Sequence, residues 1–118
     1  MKVLIIGSGG REHALGWKIA QSRKVSKIYI APGNGGTELE PALTNVNIEA
    51  NNIRQLLEFA IENKIDLTIV GPEDPLVNGI TDIFQENGLK CFGPSKAASQ
   101  LEGSKGFMKD FLNRHDIP

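Results

Sequence analysis

Cysteine and long hydrophobic runs are both scarce in this sequence of 118 residues. Cys91 is the only cysteine, so the chain can neither close an internal disulfide nor build a cysteine-based metal site, which suits a reducing compartment. No apolar run approaches the ~20 residues that span a bilayer, and a strand pattern follows Met1 directly, without the features of a signal peptide. We therefore expect a cytoplasmic protein with no membrane partner.

Net charge is also nearly absent, because 13 basic residues face 14 acidic ones. This balance by itself says nothing about partners, and we expect no nucleic-acid partner. The hydrophobic fraction of 40% and the charged fraction of 23% are ordinary for a globular protein. A chain of this length forms one domain and can bury roughly two-thirds of the surface that its unfolded form exposes.

Short apolar runs predict buried strands at residues 3–6, 28–31 and 67–70, each followed by glycine or proline. Weaker patterns predict strands near 43–46 and 90–92. Between them, apolar spacing predicts helices over 11–23 and 53–61. A third helix is predicted from Asp74, whose side chain can cap it, with Pro75 at the first helical position and Gly88 at the end. This alternation predicts an α/β protein with a Rossmann-like open parallel sheet of about five strands and helices on both faces.

The pattern changes near residue 94, where two helical pieces are predicted, at 96–101 and 105–114. We expect residues 1–94 to form the Rossmann-like substrate-binding domain and residues 95–118 to form a helical connection to a further domain that this chain lacks. A sequence that stops at "HDIP", where another strand would normally begin, suggests a piece of a longer polypeptide.

In a parallel sheet, ligands bind beyond the carboxyl ends of the strands. The turns that follow the strands here are "GSGGREH", "PGNGGTE", "GPEDP" and "FGPSK", whereas the opposite turns, such as "SRKVSK", are plain polar connections. Glycines in the first turn would let an anion reach the free N–H groups that open the following helix. For a single loop, a tight turn that needs glycine for positive φ is about as good an explanation as an anion site. The three further glycine- and proline-rich turns at the same edge favour a binding site.

Two residues argue against a dinucleotide as the ligand. Glu12 stands where the G-x-G-x-x-G fingerprint needs its third glycine, and the second strand ends at Pro32 rather than at the acid that holds an adenosine ribose. In these turns Arg11 can bind a phosphate, and the carboxylates of Glu73 and Asp74 can accept hydrogen bonds from hydroxyl or amino groups. A sugar phosphate that carries an amine would use all of these groups. His13 is more simply a packing residue.

Four collinear segments resemble the glycinamide ribonucleotide synthetase family, also called phosphoribosylamine–glycine ligases. They are "MKVLIIGSGGREHAL" at the start, "APGNGGT" at 31–37, "VGPEDPLVNGI" at 70–80 and "CFGPSKAASQLEGSKGFMKDF" at 91–111. The resemblance implies the N-terminal, pre-ATP-grasp domain of an enzyme that joins glycine to 5-phosphoribosylamine through a glycyl phosphate in purine biosynthesis. Its full-length members use ATP and Mg²⁺, and the ATP loop and metal ligands follow later in the polypeptide.

The resemblance also implies roles for individual residues. Lys105 matches a lysine that contacts ATP, and no metal ligand or catalytic side chain is assigned within this chain, so the fragment alone is expected to bind no cofactor and to be inactive. Another ATP-grasp ligase or carboxylase is the nearest alternative, followed by a nicotinamide-dependent oxidoreductase domain and a flavodoxin-like interaction module. The implied phosphoribosyl site comprises Gly9, Gly10, Arg11, Glu12, Pro32, Gly33, Asn34, Glu73 and Asp74.

Overall fold

The computed structural model describes residues 1–93. They form a single five-stranded sheet in the order β3-β2-β1-β4-β5, and every neighbouring pair of strands is parallel. The elements along the chain are β1 (Lys2–Gly7), α1 (Gly10–Ile19), β2 (Lys27–Pro32), α2 (Gly35–Glu38), β3 (Thr44–Asn45), α3 (Ile53–Glu62), β4 (Leu67–Val70), α4 (Glu73–Val77), α5 (Ile80–Glu86) and β5 (Cys91–Phe92). The predicted Rossmann-like α/β fold is confirmed.

The central strand β1 is buried on both faces, which is why its sequence is a continuous apolar run. Leu4 and Ile6 belong to a cluster on one face that includes Leu56 of α3 and Phe84 of α5. The opposite face of β1 packs against α1, with Ile19 in the second cluster. Helices therefore cover both faces of the sheet, as the alternating pattern predicts.

Helix α1 ends at Ile19, so the prediction of a helix over residues 11–23 is wrong at its carboxyl end. The backbone tightens there into i→i+3 hydrogen bonds, from Gln21 N–H to Lys18 O and from Ser22 N–H to Ile19 O. The Ser22 hydroxyl then accepts a hydrogen bond from Lys24 N–H at 3.1 Å. A serine side chain that bonds to nearby backbone offers the chain an alternative to the helix.

The single helix predicted from Asp74 is also wrong, because the segment forms two helices separated at Gly79, which has φ +87°. Helix α4 begins at Glu73, so Pro75 is its third residue. Proline fits there because the first N–H groups of a helix have no intrahelical partner. Gly88 closes α5, as predicted, with φ +77° and with hydrogen bonds from Gly88 N–H to Gln85 O and from Leu89 N–H to Phe84 O, the pattern of a Schellman cap.

Cys91 is fully buried in β5, which agrees with its interpretation as a small core residue. Burial raises the pKa of its thiol to about 12, although a hydrogen bond with the Thr81 side chain acts in the opposite direction. The thiol therefore stays protonated at neutral pH, when only thiolates are strong nucleophiles.

Thr68 lies beside Leu4 and Cys91 in the sheet register and is 1% exposed. Within residues 1–93, its Oγ1 is the one fully buried side-chain polar atom without a hydrogen-bond partner. Burying a hydroxyl without a partner costs free energy that an apolar side chain of the same shape avoids.

We expect Thr68→Val to raise the free energy of unfolding by about 1 kcal/mol, measured by urea denaturation of the 118-residue chain. Thr37→Val is the matched control. The Thr37 hydroxyl accepts a hydrogen bond from Asn34 N–H and lies 2.7 Å from Asn45 Oδ1, so its loss should lower stability by about 1–3 kcal/mol. Equal destabilisation by both variants would contradict this account of Thr68.

Candidate functional site

The ends of three neighbouring strands are joined by hydrogen bonds into one surface, called the carboxyl edge here and made of the turns at residues 7–10, 32–35 and 71–74. Gly33 N–H donates to Gly7 O at 3.0 Å, and Gly71 N–H donates to Ile6 O at 2.9 Å. The Asn34 side chain adds a hydrogen bond from Nδ2 to Ser8 O at 2.8 Å. The structure thus brings together the three turns that the sequence singled out, and the fourth runs beyond the described residues.

The first turn presents the open start of helix α1. Its N-cap is Gly9, which has extended backbone angles and no side chain to bond the helix. The first intrahelical hydrogen bond runs from His13 N–H to Gly9 O at 3.1 Å. The N–H groups of the first turn of α1 therefore have no side-chain cap, and the positive end of the helix dipole favours an anion there.

The glycines of this turn are required for different reasons. Gly7 has φ +146°, and a Cβ on it would overlap the Glu12 side chain. Gly9 is also crowded, since a Cβ there would lie 3.0 Å from Glu12 Oε2. Gly10 is different, because its φ is not left-handed and nothing lies within 4 Å of its Cβ position. The turn itself explains Gly7, whereas the fold gives no reason for glycine at position 10.

Glu12 is buried at this edge, with 8% of its surface exposed. Its carboxyl group fits into the space left by three glycines, because a Cβ on Gly7 or Gly71 would overlap it and one on Gly9 would crowd it. Among the described residues, the structure gives this carboxyl group no hydrogen bond and no ion pair. A nearly buried carboxylate without a protein partner is unusual and needs a chemical reason.

Glu12 also shows how the fold manages without the third glycine of a dinucleotide fingerprint. That glycine normally allows close packing of the helix on the strands. Gly16, one turn later, does this here, since a Cβ on it would lie 2.9 Å from Leu43 Cδ2 and 3.5 Å from Ile5 Cδ1. The position of Glu12 is thereby released for a side chain that reaches the carboxyl edge.

The second turn is more structured than its sequence suggested. Pro32 ends β2, Gly33 has φ +74°, and Asn34 caps the short helix α2, which the sequence analysis missed. Asn34 Oδ1 accepts from Thr37 N–H at 2.9 Å, while Asn34 N–H donates to the Thr37 hydroxyl at 2.7 Å. The N-x-x-T spacing of this capping box was the available signal. The Asn34 amide is thus engaged at both ends, and its role toward a ligand stays a prediction.

The third turn leads directly into α4, whose first residues are Glu73 and Asp74. Both side chains are exposed. Their position in the first turn of a helix is favourable for acids whatever else they do, because they face the positive end of the helix dipole. Arg11, at the start of α1, is also exposed, so the carboxyl edge combines one guanidinium group with several carboxylates.

His13 faces away from this chemistry. Its Nε2 lies 3.1 Å from Glu40 Oε1, and both side chains are about one-third exposed, at 29% and 32%. The ring also packs near Gly36, whose Cβ position is 3.3 Å from His13 Cε1. His13 therefore joins α1 to the segment that follows α2, in agreement with its interpretation as a packing residue.

The opposite edge of the sheet has an open hollow of about 510 Å³ lined by Met1, Ile65, Asp66, Gly88, Leu89 and Lys90. Its polar groups serve the fold, since Asp66 Oδ2 accepts the Lys2 N–H at 2.8 Å and the Met1 ammonium group donates to Lys24 O at 2.7 Å. The hollow is therefore a weaker candidate than the carboxyl edge.

Two predictions of the sequence analysis lie outside the described residues, namely the boundary of the helical connection at 95–118 and the ATP contact of Lys105. Within residues 1–93, no group of three or more His, Cys, Asp or Glu side chains could hold a metal ion. In the same part of the chain, no helix is long and apolar enough to cross a membrane.

Comparison with known proteins agrees with the family resemblance of the sequence. Residues 1–102 match the family model described as "Phosphoribosylglycinamide synthetase, N domain". The chain is 66% identical to a phosphoribosylamine–glycine ligase of Vibrio parahaemolyticus, 63% identical to that of Allochromatium vinosum and 64% identical to that of Escherichia coli K12. Each match covers all 118 residues of this chain and 28% of the relative, so the chain spans about a quarter of the length of these proteins.

The packing of Glu12 predicts opposite effects of alanine at two glycines of the carboxyl edge. Gly71→Ala should lower the free energy of unfolding by about 1 kcal/mol, because the Glu12 carboxyl group must move away from the new methyl group. Gly10→Ala should leave stability unchanged or raise it by up to about 1 kcal/mol, because helical alanine is favoured over glycine. Urea denaturation of the 118-residue chain measures both. Equal losses in the two variants would mean that Gly10 is as constrained by the fold as Gly71.

Proposed function

The chain belongs to the phosphoribosylglycinamide synthetase family, and on that premise we propose that it is the N-terminal part of a ligase that joins glycine to 5-phosphoribosylamine. The products are glycinamide ribonucleotide, ADP and phosphate, in de novo purine biosynthesis. ATP phosphorylates the glycine carboxylate, and the amine of phosphoribosylamine attacks the resulting glycyl phosphate. The observation that carries the proposal is the family match across nearly the whole chain, on a fold whose carboxyl edge suits a sugar phosphate.

The proposed phosphoribosyl site is the carboxyl edge. The uncapped N–H groups at the start of α1 and the Arg11 side chain receive the phosphate, Gly10 leaves open space for it to approach, and Gly9 lines the site beside Glu12. Pro32, Gly33 and Asn34 line the site from the second turn. The exposed carboxylates of Glu73 and Asp74 accept hydrogen bonds from hydroxyl or amino groups across the edge.

The ATP-dependent step belongs to the part of the polypeptide beyond this chain. Residues 1–93 do not fit Mg²⁺, since none of their acidic side chains are grouped so that they could hold a metal ion. We propose that residues 1–94 form the substrate-binding domain and that residues 95–118 connect it to an ATP-grasp domain, with Lys105 contacting ATP. The Mg²⁺ ligands and the ATP loop then lie further along the chain.

The alternatives differ in their ligands. Another ATP-grasp ligase or carboxylase shares the fold, but the family match favours the glycine ligase. A nicotinamide-dependent oxidoreductase needs a glycine where Glu12 stands and an acid at the end of the second strand, where Pro32 stands. Titration of the protein with NAD distinguishes the two functions, because the proposed function predicts no binding of NAD.

The partners proposed for the full-length protein are small molecules, namely phosphoribosylamine, glycine and ATP, together with its own ATP-grasp domain. No nucleic-acid or membrane partner is proposed. A cytoplasmic location fits this substrate set and the single cysteine.

We expect the purified 118-residue chain to fold without catalysing ligation, because it lacks most of the proposed ATP site. The measurement is phosphate release in the presence of ATP, Mg²⁺, glycine and freshly generated phosphoribosylamine, with the full-length protein as the positive control. Release from the 118-residue chain that depends on both glycine and phosphoribosylamine would refute the division of the site between the two parts.

Gly10→Val in the full-length protein should weaken binding of glycinamide ribonucleotide by at least ~100-fold, through the loss of two or three charge-assisted hydrogen bonds. The valine side chain would occupy the open space in front of the α1 N–H groups. Calorimetric titration measures the affinity, thermal melts check the fold, and the affinity for ATP serves as an internal control that should hardly change. If the folded variant binds the ribonucleotide as tightly as the wild type, the first turn is not the phosphate site.

A further inference from the structure

The carboxyl edge is electrostatically uneven along the sheet. The end of β4 leads into the carboxylates of Glu73 and Asp74 in the first turn of α4, and the Glu12 carboxyl group lies between Gly71 and the first turn at Gly7 and Gly9. The start of α1 carries the Arg11 side chain and the uncapped N–H groups. A ligand with one anionic end and one hydrogen-bond-donating end therefore meets two different surfaces.

Glu12 contributes most to this charge difference along the edge, because it is both nearly buried and unpaired. Only 8% of its surface is exposed, and the described residues offer its carboxyl oxygens neither a donor nor a basic side chain. A carboxylate loses hydration on burial, and the positive end of the α1 dipole, in whose first turn Glu12 lies, offsets only part of that loss. A ligand that brings an N–H or O–H group to it would restore the lost hydrogen bonds, whereas a phosphate would be repelled.

From this we infer that Glu12 orients the bound sugar phosphate: its carboxylate receives the amino group on C1, and the phosphate is kept at the start of α1. The inference rests on the proposed function, since it takes phosphoribosylamine as the ligand. The hydrogen bond that Glu12 accepts has two possible donors in that ligand, the amine and the ribose hydroxyls, and the amine donates an N–H while it stays neutral for its attack on the glycyl phosphate. This assigns the β4 side of the carboxyl edge to the reacting end of the substrate.

A purely structural role for Glu12 makes a different prediction. The side chain fills space over Gly7, Gly9 and Gly71, and glutamine fills the same volume. Glu12→Gln therefore keeps the packing and removes the charge. Glu86→Gln is the matched control, because it removes an exposed carboxylate at the end of α5, outside the proposed site.

The experiment uses the full-length protein and compares two measurements in the wild type and in both variants. The first is kcat/KM for phosphoribosylamine generated in the assay. The second is the inhibition constant of ribose 5-phosphate, which has the phosphate and hydroxyl groups but no amine. Melting temperatures report whether Glu12→Gln still folds, and Glu12→Asp provides a second variant that keeps the charge if the glutamine variant does not.

We expect Glu12→Gln to lower kcat/KM for phosphoribosylamine by about tenfold or more, the loss of one charge-assisted hydrogen bond, while ribose 5-phosphate binds as tightly as to the wild type or more tightly. Glu86→Gln should leave both measurements unchanged. Equal weakening of both ligands would overturn the assignment of the amine to Glu12 and indicate hydroxyl recognition. Unchanged values for both would make Glu12 a packing residue only. If the wild type neither uses phosphoribosylamine nor binds ribose 5-phosphate, the proposed function itself fails, and the failure is then not that of Glu12.

Discussion

Two backbone hydrogen bonds hold the carboxyl edge together, from Gly33 N–H to Gly7 O and from Gly71 N–H to Ile6 O. They continue the parallel ladders of β1 with β2 and β4 past the last residues of the strands. Because of them, turns that are far apart in the sequence form one surface around the start of α1. The open helix terminus, the buried Glu12 and the acids of α4 all take their relative positions from this arrangement.

The glycines of the edge separate into those that the fold requires and those that it does not. Gly7 and Gly33 have positive φ, and Gly71 makes room for Glu12. Gly10 satisfies neither condition. A glycine in a helix costs free energy relative to alanine unless something needs the open space. We propose that a ligand approaching the backbone at the start of α1 supplies that need.

Most of the fold follows from local patterns that a reader can find in the sequence. The run "VLII" predicts a strand buried on both faces, and the spacing of apolar residues in α3 predicts its position because one face must pack on the sheet. The misses have local causes as well. Gly79 interrupts an otherwise continuous helical pattern by adopting a left-handed φ, and Ser22 ends α1 early through a side-chain bond to the backbone. Apolar periodicity carries no information on either event.

The site is less predictable than the fold, because it depends on the contacts that individual side chains of the turns make with residues distant in the sequence. The resemblance implied a ligand-binding role for Asn34 and gave no sign that its amide caps α2 and bonds Ser8 O. The residue pattern showed Glu12 only as a departure from a dinucleotide fingerprint, and its burial against Gly71 depends on contact between residues 59 positions apart. The measurement that tests the central claim most directly is a crystal structure of the full-length protein with glycinamide ribonucleotide. The account predicts phosphate oxygens within hydrogen-bonding distance of the N–H groups of Gly10 and Arg11, and a phosphate bound away from the start of α1 would contradict it.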